Sequence, residues 1–458
     1  MKKHITFALL FAAALTAQAQ QGGISGEMLN QIKQSYKATP ADKAIRNALG
    51  GTSINTLALN QENRADFDTE FSHKVLSKGI TDQQSSGRCW LFTGLNVLRS
   101  QMIAKYGLDE MEFSQNYCFF YDQLEKANLF LQGIIDTSGK PMDDKMVEWL
   151  FKHPLSDGGQ FTGVSDIIEK YGLVPKSAMV ETFSSENTGK MSSLIGLKLK
   201  EFGLQLREAA AAGVKSVELE KKKTEMLGTV YRMLVLTLGE PVSTFTWSLK
   251  GGEAKEYTPV SFYKEFLGND LTNNYVMLMN DPSREFYKCY EIDFDRHRYD
   301  GKNWTYVNLP IEDIKEIAIA SIKDSTMMYF SCDVGKFLDS KRGLLDPDNY
   351  DYESLMGTTF GMDKKQRIQT FSSGSSHAMT LMAVDLDKAG KSKKWMVENS
   401  WGSASGYRGH LIMTDKWFDE YMFRVVAEKK YVPAKVLDIL KQKPIRLPAW
   451  DPMFADEE

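Results

Sequence analysis

The stretch ITDQQSSGRCWLFTGLNVLRSQMIAKYG, residues 80–107, decides the fold of the N-terminal half of this chain. After Cys89 the apolar residues recur at spacings of 4, 3 and 4, at Leu91, Leu95, Leu98 and Met102. This spacing predicts a helix that buries one face, and Gly107 predicts its end. Cys89 therefore stands in the first turn of a predicted helix, directly after a turn rich in Ser and Gly.

The position of Cys89 makes it a candidate nucleophile. Free backbone N–H groups and the helix dipole favour an anion at a first turn, so a thiol placed there holds more of its thiolate form. The alternative interpretation is a small buried apolar residue, which is the common role of a single cysteine.

Two later segments offer partners for such a thiol. His377 opens a predicted strand after the polar run SSGSS, and Asn399 ends another predicted strand. A thiolate nucleophile needs an imidazole that also protonates the leaving amine, and the imidazole needs an acceptor that fixes its tautomer and orientation. Cys89, His377 and Asn399 can fill these three roles. Taken singly, a histidine such as His377 is more often structural and an asparagine such as Asn399 is more often a turn residue; the combination favours the catalytic interpretation.

Together these segments resemble the bleomycin hydrolase / aminopeptidase C family of papain-like cysteine peptidases. The principal matching motifs are QQSSGRCW at 83–90, HAMT at 377–380, VENSWG at 397–402 and LPAWDPM at 447–453. Further matches are EKAN at 125–128, DGGQ at 157–160 and CDVGK at 332–336. The resemblance implies an aminopeptidase that needs no cofactor and cleaves peptides near their free N-terminus through a thioester acyl-enzyme. The alternatives are a papain-like endopeptidase and a catalytically silent exported binding protein.

The resemblance also assigns roles to individual residues. The nucleophile falls on Cys89, the general acid/base on His377 and the amide that orients it on Asn399. The donor to the oxyanion falls on Gln83, six residues before the nucleophile, rather than on its neighbour Gln84.

Four further residues are expected to contact the substrate or shield the site. Gly158 and Gly159 correspond to a wall of the cleft, with Gly159 the closer contact because a side chain there would block the substrate backbone. A simple turn between helices is the other interpretation of these glycines. Trp401 is expected to cover the hydrogen bond between His377 and Asn399. The terminal carboxylate of Glu458 is expected to attract the ammonium group of the substrate.

The fold class that follows is α+β and papain-like, with a helical N-terminal half, a strand-rich C-terminal half, the active-site cleft between them and a helical insertion. The predicted segments, in order, are a signal peptide at 1–19, an N-terminal surface segment at 20–70, the helical half with the nucleophile helix at 71–190, the helical insertion at 191–270, the β-rich half with His377 and Asn399 at 271–446, and a C-terminal arm at 447–458.

The first twenty residues have the pattern of a secretory signal. Lys2 and Lys3 precede an apolar run from Ile5 to Leu15, and Ala17 and Ala19 frame a cleavage site. The run is about half of the roughly 20 apolar residues that a membrane span needs, so a retained anchor is the weaker interpretation. We expect export, periplasmic or secreted, after cleavage near Ala19, with no membrane span in the mature chain.

Composition limits the remaining possibilities. The 458 residues are 42% hydrophobic and 25% charged with a net charge of −4, which excludes a disordered chain and makes nucleic acid an unlikely partner.

Four cysteines in this length are not a disulfide scaffold, and with one kept as a reactive thiol at most one disulfide can form. Ser86 stands where many papain-like enzymes carry a disulfide-bonded cysteine. His73, His153, His297 and His410 show no metal-site spacing and are expected on the surface or in packing. The resemblance further implies a homo-oligomer, a hexamer.

Overall fold

A computed structural model describes residues 22–64 and 68–453 of the chain. The predicted signal peptide and Glu458 lie outside these residues. The helices are α1 Gly26–Ser35, α2 Pro40–Leu49, α3 Ile54–Ala58, α4 Cys89–Tyr106, α5 Gln115–Asp136, α6 Lys145–Lys152, α7 Phe161–Tyr171, α8 Phe183–Glu186, α9 Thr188–Ala211, α10 Ser216–Leu238, α11 Pro259–Phe266, α12 Ile311–Lys323, α13 Tyr352–Met356, α14 Lys364–Gln369, α15 Asp415–Tyr421 and α16 Ala434–Leu437.

Apart from β1, the strands of the described residues lie after residue 244, where helices are interspersed among them. They are β1 His73–Lys74, β2 Phe245–Trp247, β3 Lys255–Tyr257, β4 Tyr275–Met279, β5 Lys288–Ile292, β6 Thr305–Asn308, β7 Met328–Cys332, β8 Leu338–Asp339, β9 Leu344–Leu345, β10 His377–Leu386, β11 Ser392–Glu398, β12 His410–Thr414, β13 Met422–Glu428 and β14 Ile445–Leu447. The predicted α+β arrangement is confirmed, because helices dominate before residue 270 and strands after it.

The chain divides into two compact units. The smaller one runs to Leu59 and includes Tyr352–Gly357. Within it, α13 joins α3 through the Tyr352 hydroxyl, which donates to Asn55 Oδ1 at 2.9 Å. This unit ends before residue 70, the predicted limit of the surface segment, because the backbone from Asn60 onward already bonds within the larger unit.

Helix α4 is the centre of the larger unit. Its end is capped by Gly107, which has a φ of 59° and donates its N–H to the carbonyl of Ile103. The prediction of one buried face is wrong, because every residue from Cys89 to Arg99 is buried. Helix α7 and strand β10 both pack on α4, so the apolar stripe identifies only part of its contact surface.

Among the described residues, one twelve-stranded sheet carries the C-terminal half. Its order is β14-β5-β6-β4-β13-β7-β10-β11-β12-β9-β8, and β1 pairs with β10. Strand β10 lies between β7 and β11 and is antiparallel to both. Strands β10 and β7 of this sheet pack on α4.

The helical insertion consists chiefly of α9 and α10, which pack on each other and on α5. Helix α9 begins at Thr188, three residues before the predicted boundary. All four cysteines lie within the described residues; they are buried, and none forms a disulfide. Among the described residues, no helix has the length and apolar character needed to span a bilayer.

Candidate active site

Cys89 is the first residue of α4 and is fully buried. Its Sγ accepts a hydrogen bond from the backbone N–H of Ala378, at 3.4 Å. Because Ala378 is the second residue of β10, this contact brings the start of α4 to the position of His377.

His377 and Asn399 come together across the β10–β11 pair. The Nε2 atom of His377 lies 2.8 Å from Oδ1 of Asn399, and both residues are buried. The Trp401 ring lies against the imidazole, with the ring centroids 4.8 Å apart. The structure thus places Trp401 against the imidazole that bonds Asn399.

Gln83 reaches the same site from the turn before α4. Its Nε2 donates to the carbonyl of Ser86 at 2.7 Å, and its Oε1 accepts from the Ser400 hydroxyl at 2.7 Å. Gln84, by contrast, is exposed and has a φ of 53°. The geometry therefore favours Gln83 over Gln84 as the glutamine of this site.

Ser400 is the residue that sequence reasoning missed. Its hydroxyl fixes the amide of Gln83, and its backbone N–H donates to Asn399 Oδ1 at 2.8 Å. A second backbone bond, from the N–H of Gln83 to the carbonyl of Ser400, measures 2.8 Å. The only signal in the sequence was a hydroxyl directly after Asn399. Ser400 joins the predicted oxyanion donor to the residue that holds His377.

The glycine pair lies beside the start of α4. Both Gly158 and Gly159 are buried. The preceding residue, Asp157, accepts the N–H of Gly87 on its carboxylate at 2.8 Å and the indole N–H of Trp90 on its carbonyl at 2.9 Å. These two bonds fasten the wall to the residues on either side of Cys89, in the region where Ser86 replaces a disulfide-forming cysteine.

The reason for glycine at position 159 differs from the prediction. A Cβ on Gly159 would lie 2.5 Å from Cε1 of His297 and 2.9 Å from the Trp90 ring. The side-chain position of Gly159 therefore points into the protein and not towards a substrate. His297 is the packing residue that the sequence allowed, and it is buried.

A buried ion pair connects the nucleophile helix to the strand before Asn399. Arg99 of α4 lies 2.5 Å from a carboxylate oxygen of Glu398, the last residue of β11. Burial raises the pKa of Glu398, while the charge of Arg99 opposes that rise. This ion pair fixes α4 against the end of β11. No local sequence pattern predicts the pair.

The described part of the C-terminal arm approaches the site along the sheet. Arg284 binds Asp451 at 2.5 Å, and Arg424 of β13 donates to the carbonyl of Met453. In the strand register Arg424 pairs with Ser331 of β7, and Ser331 pairs on its other side with Ala378 of β10. Since neighbouring strands lie about 5 Å apart, the backbones of Arg424 and Ala378 are roughly 10 Å apart.

The site contains the elements of thiol chemistry. Between residues 22 and 453, leaving out 65–67, no group of three or more His, Cys, Asp or Glu side chains is arranged to hold a metal ion.

Comparison with known proteins agrees with this geometry. The sequence model of the Peptidase C1-like family matches residues 23–454. The chain belongs to this family. Membership makes it a cysteine-type peptidase, and the predicted family resemblance and papain-like fold class are confirmed.

Relatives in the family match over nearly their whole length. Bleomycin hydrolase of Homo sapiens is 37% identical over 450 residues, covering 94% of this chain and 98% of that protein. Aminopeptidase C of Listeria monocytogenes is 35% identical over 440 residues, covering 94% and 99%. The crystal structure of PepW from Lactobacillus rhamnosis HN001 superposes with a TM-score of 0.90 at 36% identity, over 95% of this chain and 99% of that one.

Proposed function

We propose that this chain is an exported cysteine aminopeptidase that removes residues from the free N-terminus of peptides. The observation that carries the proposal is a set of contacts in two parts. Cys89 Sγ accepts from the backbone N–H of Ala378, the neighbour of His377, and His377 is bonded to Asn399, which Ser400 connects to Gln83. Family relatives named as aminopeptidases support the exopeptidase part.

In the proposed reaction the Cys89 thiolate attacks the carbonyl carbon of the first peptide bond. The C–N bond breaks, a thioester forms on Cys89, and imidazolium gives its proton to the leaving amine. Because Nε2 of His377 is bonded to Asn399, the proton passes through Nδ1. Water, activated by the same nitrogen, then hydrolyses the thioester and restores the thiol.

The tetrahedral intermediate carries a negative oxygen, which Gln83 and the backbone of Cys89 stabilise in this proposal. The Gln83 side-chain amide has two protons on Nε2, of which the carbonyl of Ser86 takes one. The other can serve the oxyanion. Loss of one such donor typically costs about 3 kcal/mol of transition-state stabilisation.

The C-terminal arm supplies the preference for a free amine in this proposal. Arg284 and Arg424 hold the chain as far as Met453, so the arm leaves its last described contact near the cleft. Asp456, Glu457 and Glu458 follow in the sequence and bring negative charge where an ammonium group would be attracted. An endopeptidase would instead require the cleft to be open past the first residue.

Two fluorogenic peptides of equal sequence test the proposal, one with a free amine and one acetylated. We expect the full chain to cleave the free-amine peptide and refuse the acetylated one, and the folded Cys89→Ala variant to cleave neither. Equal cleavage of both peptides would establish an endopeptidase. No cleavage of either would favour the silent binding protein.

Export and assembly complete the proposal. The charged and apolar pattern of the first twenty residues supports cleavage near Ala19, and N-terminal sequencing of the mature protein from fractionated cells tests it. Exposed leucines on α9 and α10 support a homo-oligomer, a hexamer as in the family resemblance; they are Leu194, Leu197, Leu204 and Leu236. Light scattering on the mature protein measures the mass.

A further inference from the structure

A lysine side chain donates hydrogen bonds to the segment that carries Gly158 and Gly159, which is called the wall below. Lys126 of α5 donates from Nζ to the carbonyl of Ser156 at 3.0 Å and to the carbonyl of Gly158. Its ammonium also lies over the Trp90 ring, 5.3 Å from the centroid. One side chain therefore fixes two peptide groups of the wall and contacts the residue after the nucleophile.

The lysine is itself held by a buried ionic cluster. Asp122, one helical turn earlier on α5, lies 3.1 Å from Nζ of Lys126 through Oδ2 and contacts Nδ1 of His297 through Oδ1. Burial opposes ionisation of Asp122, but Lys126 and His297 outweigh it and lower its pKa. Replacing such a cluster with apolar side chains is often neutral or stabilising, so its presence here calls for a role besides stability.

Hydrogen bonds from side chains hold two carbonyls of this segment. The carbonyl of Ser156 accepts from Lys126 and also from Nε2 of Gln123, at 2.8 Å. The carbonyl of Gly158 accepts from Lys126. Hydrogen bonds from a charged donor are stronger than neutral ones, so Lys126 contributes strongly to the orientation of the Gly158 peptide group.

We propose that Lys126, set in place by Asp122 and His297, is a positioning residue for substrate binding. By fixing the carbonyls of Ser156 and Gly158, it presents the backbone of the wall to an extended peptide in one orientation. This inference rests on the proposed peptidase function. The contacts of Lys126 described above are with the carbonyls of the wall, with Asp122 and with the Trp90 ring, so we expect it to act on peptide affinity and not on the chemical step.

The test compares Lys126→Met, Lys126→Arg and, as a matched control, Lys152→Met. Lys152 and Lys126 border one cavity, but Lys152 is exposed and pairs with Glu148. The readouts are kcat and KM for the free-amine peptide and the rate at which iodoacetamide alkylates Cys89. Burial raises the pKa of the Cys118 and Cys289 thiols, which slows their reaction with the reagent.

We expect Lys126→Met to raise KM about tenfold, the equivalent of one lost substrate hydrogen bond, with kcat within about twofold of the parent. The alkylation rate should not change. Lys126→Arg keeps the charge and the donors and should return KM to within about threefold of the parent. Lys152→Met should match the parent in every readout.

Three outcomes would overturn this inference and leave the proposed peptidase function standing. They are an unchanged KM in Lys126→Met, a fall in kcat together with slower alkylation of Cys89, and no recovery of KM in Lys126→Arg. If Lys126→Met does not fold, the double variant Asp122→Asn/Lys126→Met leaves no unpaired charge between these two residues and must show the same rise in KM. A parent chain that cleaves no peptide yet alkylates at Cys89 would overturn the proposed function as well.

Discussion

Removal of the Ser400 hydroxyl tests how the oxyanion donor is held. In Ser400→Ala the 2.7 Å bond to Gln83 Oε1 is lost, whereas the backbone N–H that donates to Asn399 remains. The substitution therefore loosens the Gln83 amide and leaves the contact between His377 and Asn399 intact.

The size of the effect follows from the bonds that remain. One buried neutral hydrogen bond contributes about 1 kcal/mol, equivalent to about fivefold in rate, and complete loss of an oxyanion donor costs about 3 kcal/mol, more than a hundredfold. Gln83 keeps its bond from Nε2 to Ser86 and its backbone bond to Ser400. We therefore expect kcat/KM to fall about tenfold.

A double-mutant cycle with Gln83→Ala shows whether Ser400 acts through the Gln83 amide. Gln83→Ala alone should lower kcat/KM about a hundredfold or more. In that background Ser400→Ala should change kcat/KM by less than about twofold, because the group that it positions is gone. If Ser400→Ala has the same effect with and without Gln83, or none at all, the serine does not act through the amide and the reasoning is refuted.

Three further predictions concern the ion pair, the wall and the arm. Arg99→Met leaves Glu398 buried without its counter-charge and should cost about 3–5 kcal/mol of unfolding free energy at pH 8. Burial raises the folded-state pKa of Glu398 above its ordinary 4.5, so the carboxyl takes up a proton as the pH falls and the loss of unfolding free energy should shrink towards pH 5. Denaturant titrations at pH 8 and pH 5 measure this loss. A loss that does not depend on pH would contradict the argument. Gly159→Ala places a Cβ 2.5 Å from His297 and should lower stability by about 1–3 kcal/mol in the same titration, and a neutral result would show that the wall can shift. Deletion of Phe454 to Glu458 should weaken cleavage of the free-amine peptide modestly and admit the acetylated one; an unchanged ratio of their kcat/KM values would exclude the arm as the specificity device.

The residues with reaction chemistry could be predicted because their types are restricted. A thiol at a helix start, a histidine opening a strand and an asparagine ending one are recognisable in any order along the chain. In the structure Cys89 accepts a hydrogen bond from the residue after His377, and His377 is bonded to Asn399 and lies against the Trp401 ring.

The supporting residues could not be predicted, since their partners are remote in sequence. Asp122 meets His297 across 175 positions, and Arg99 meets Glu398 across 299. Nothing local in either segment distinguishes these charges from solvated ones. The start of strand β13 has no turn signal either, because Met422 follows α15 directly, with no glycine or proline between them.

The bonds that hold the wall determine whether the protein tolerates a reducing agent. A thiol nucleophile must be kept reduced, and a reductant strong enough to do so also attacks exposed disulfides. Here Asp157 and Lys126 join the wall to its neighbours through hydrogen bonds, and none of the four cysteines, which all lie in the described part of the chain, forms a disulfide. The cleft thus contains no bond that reduction could break. Activity should rise with added dithiothreitol until Cys89 is fully reduced and then level off, without the loss of structure that a disulfide-braced cleft would suffer.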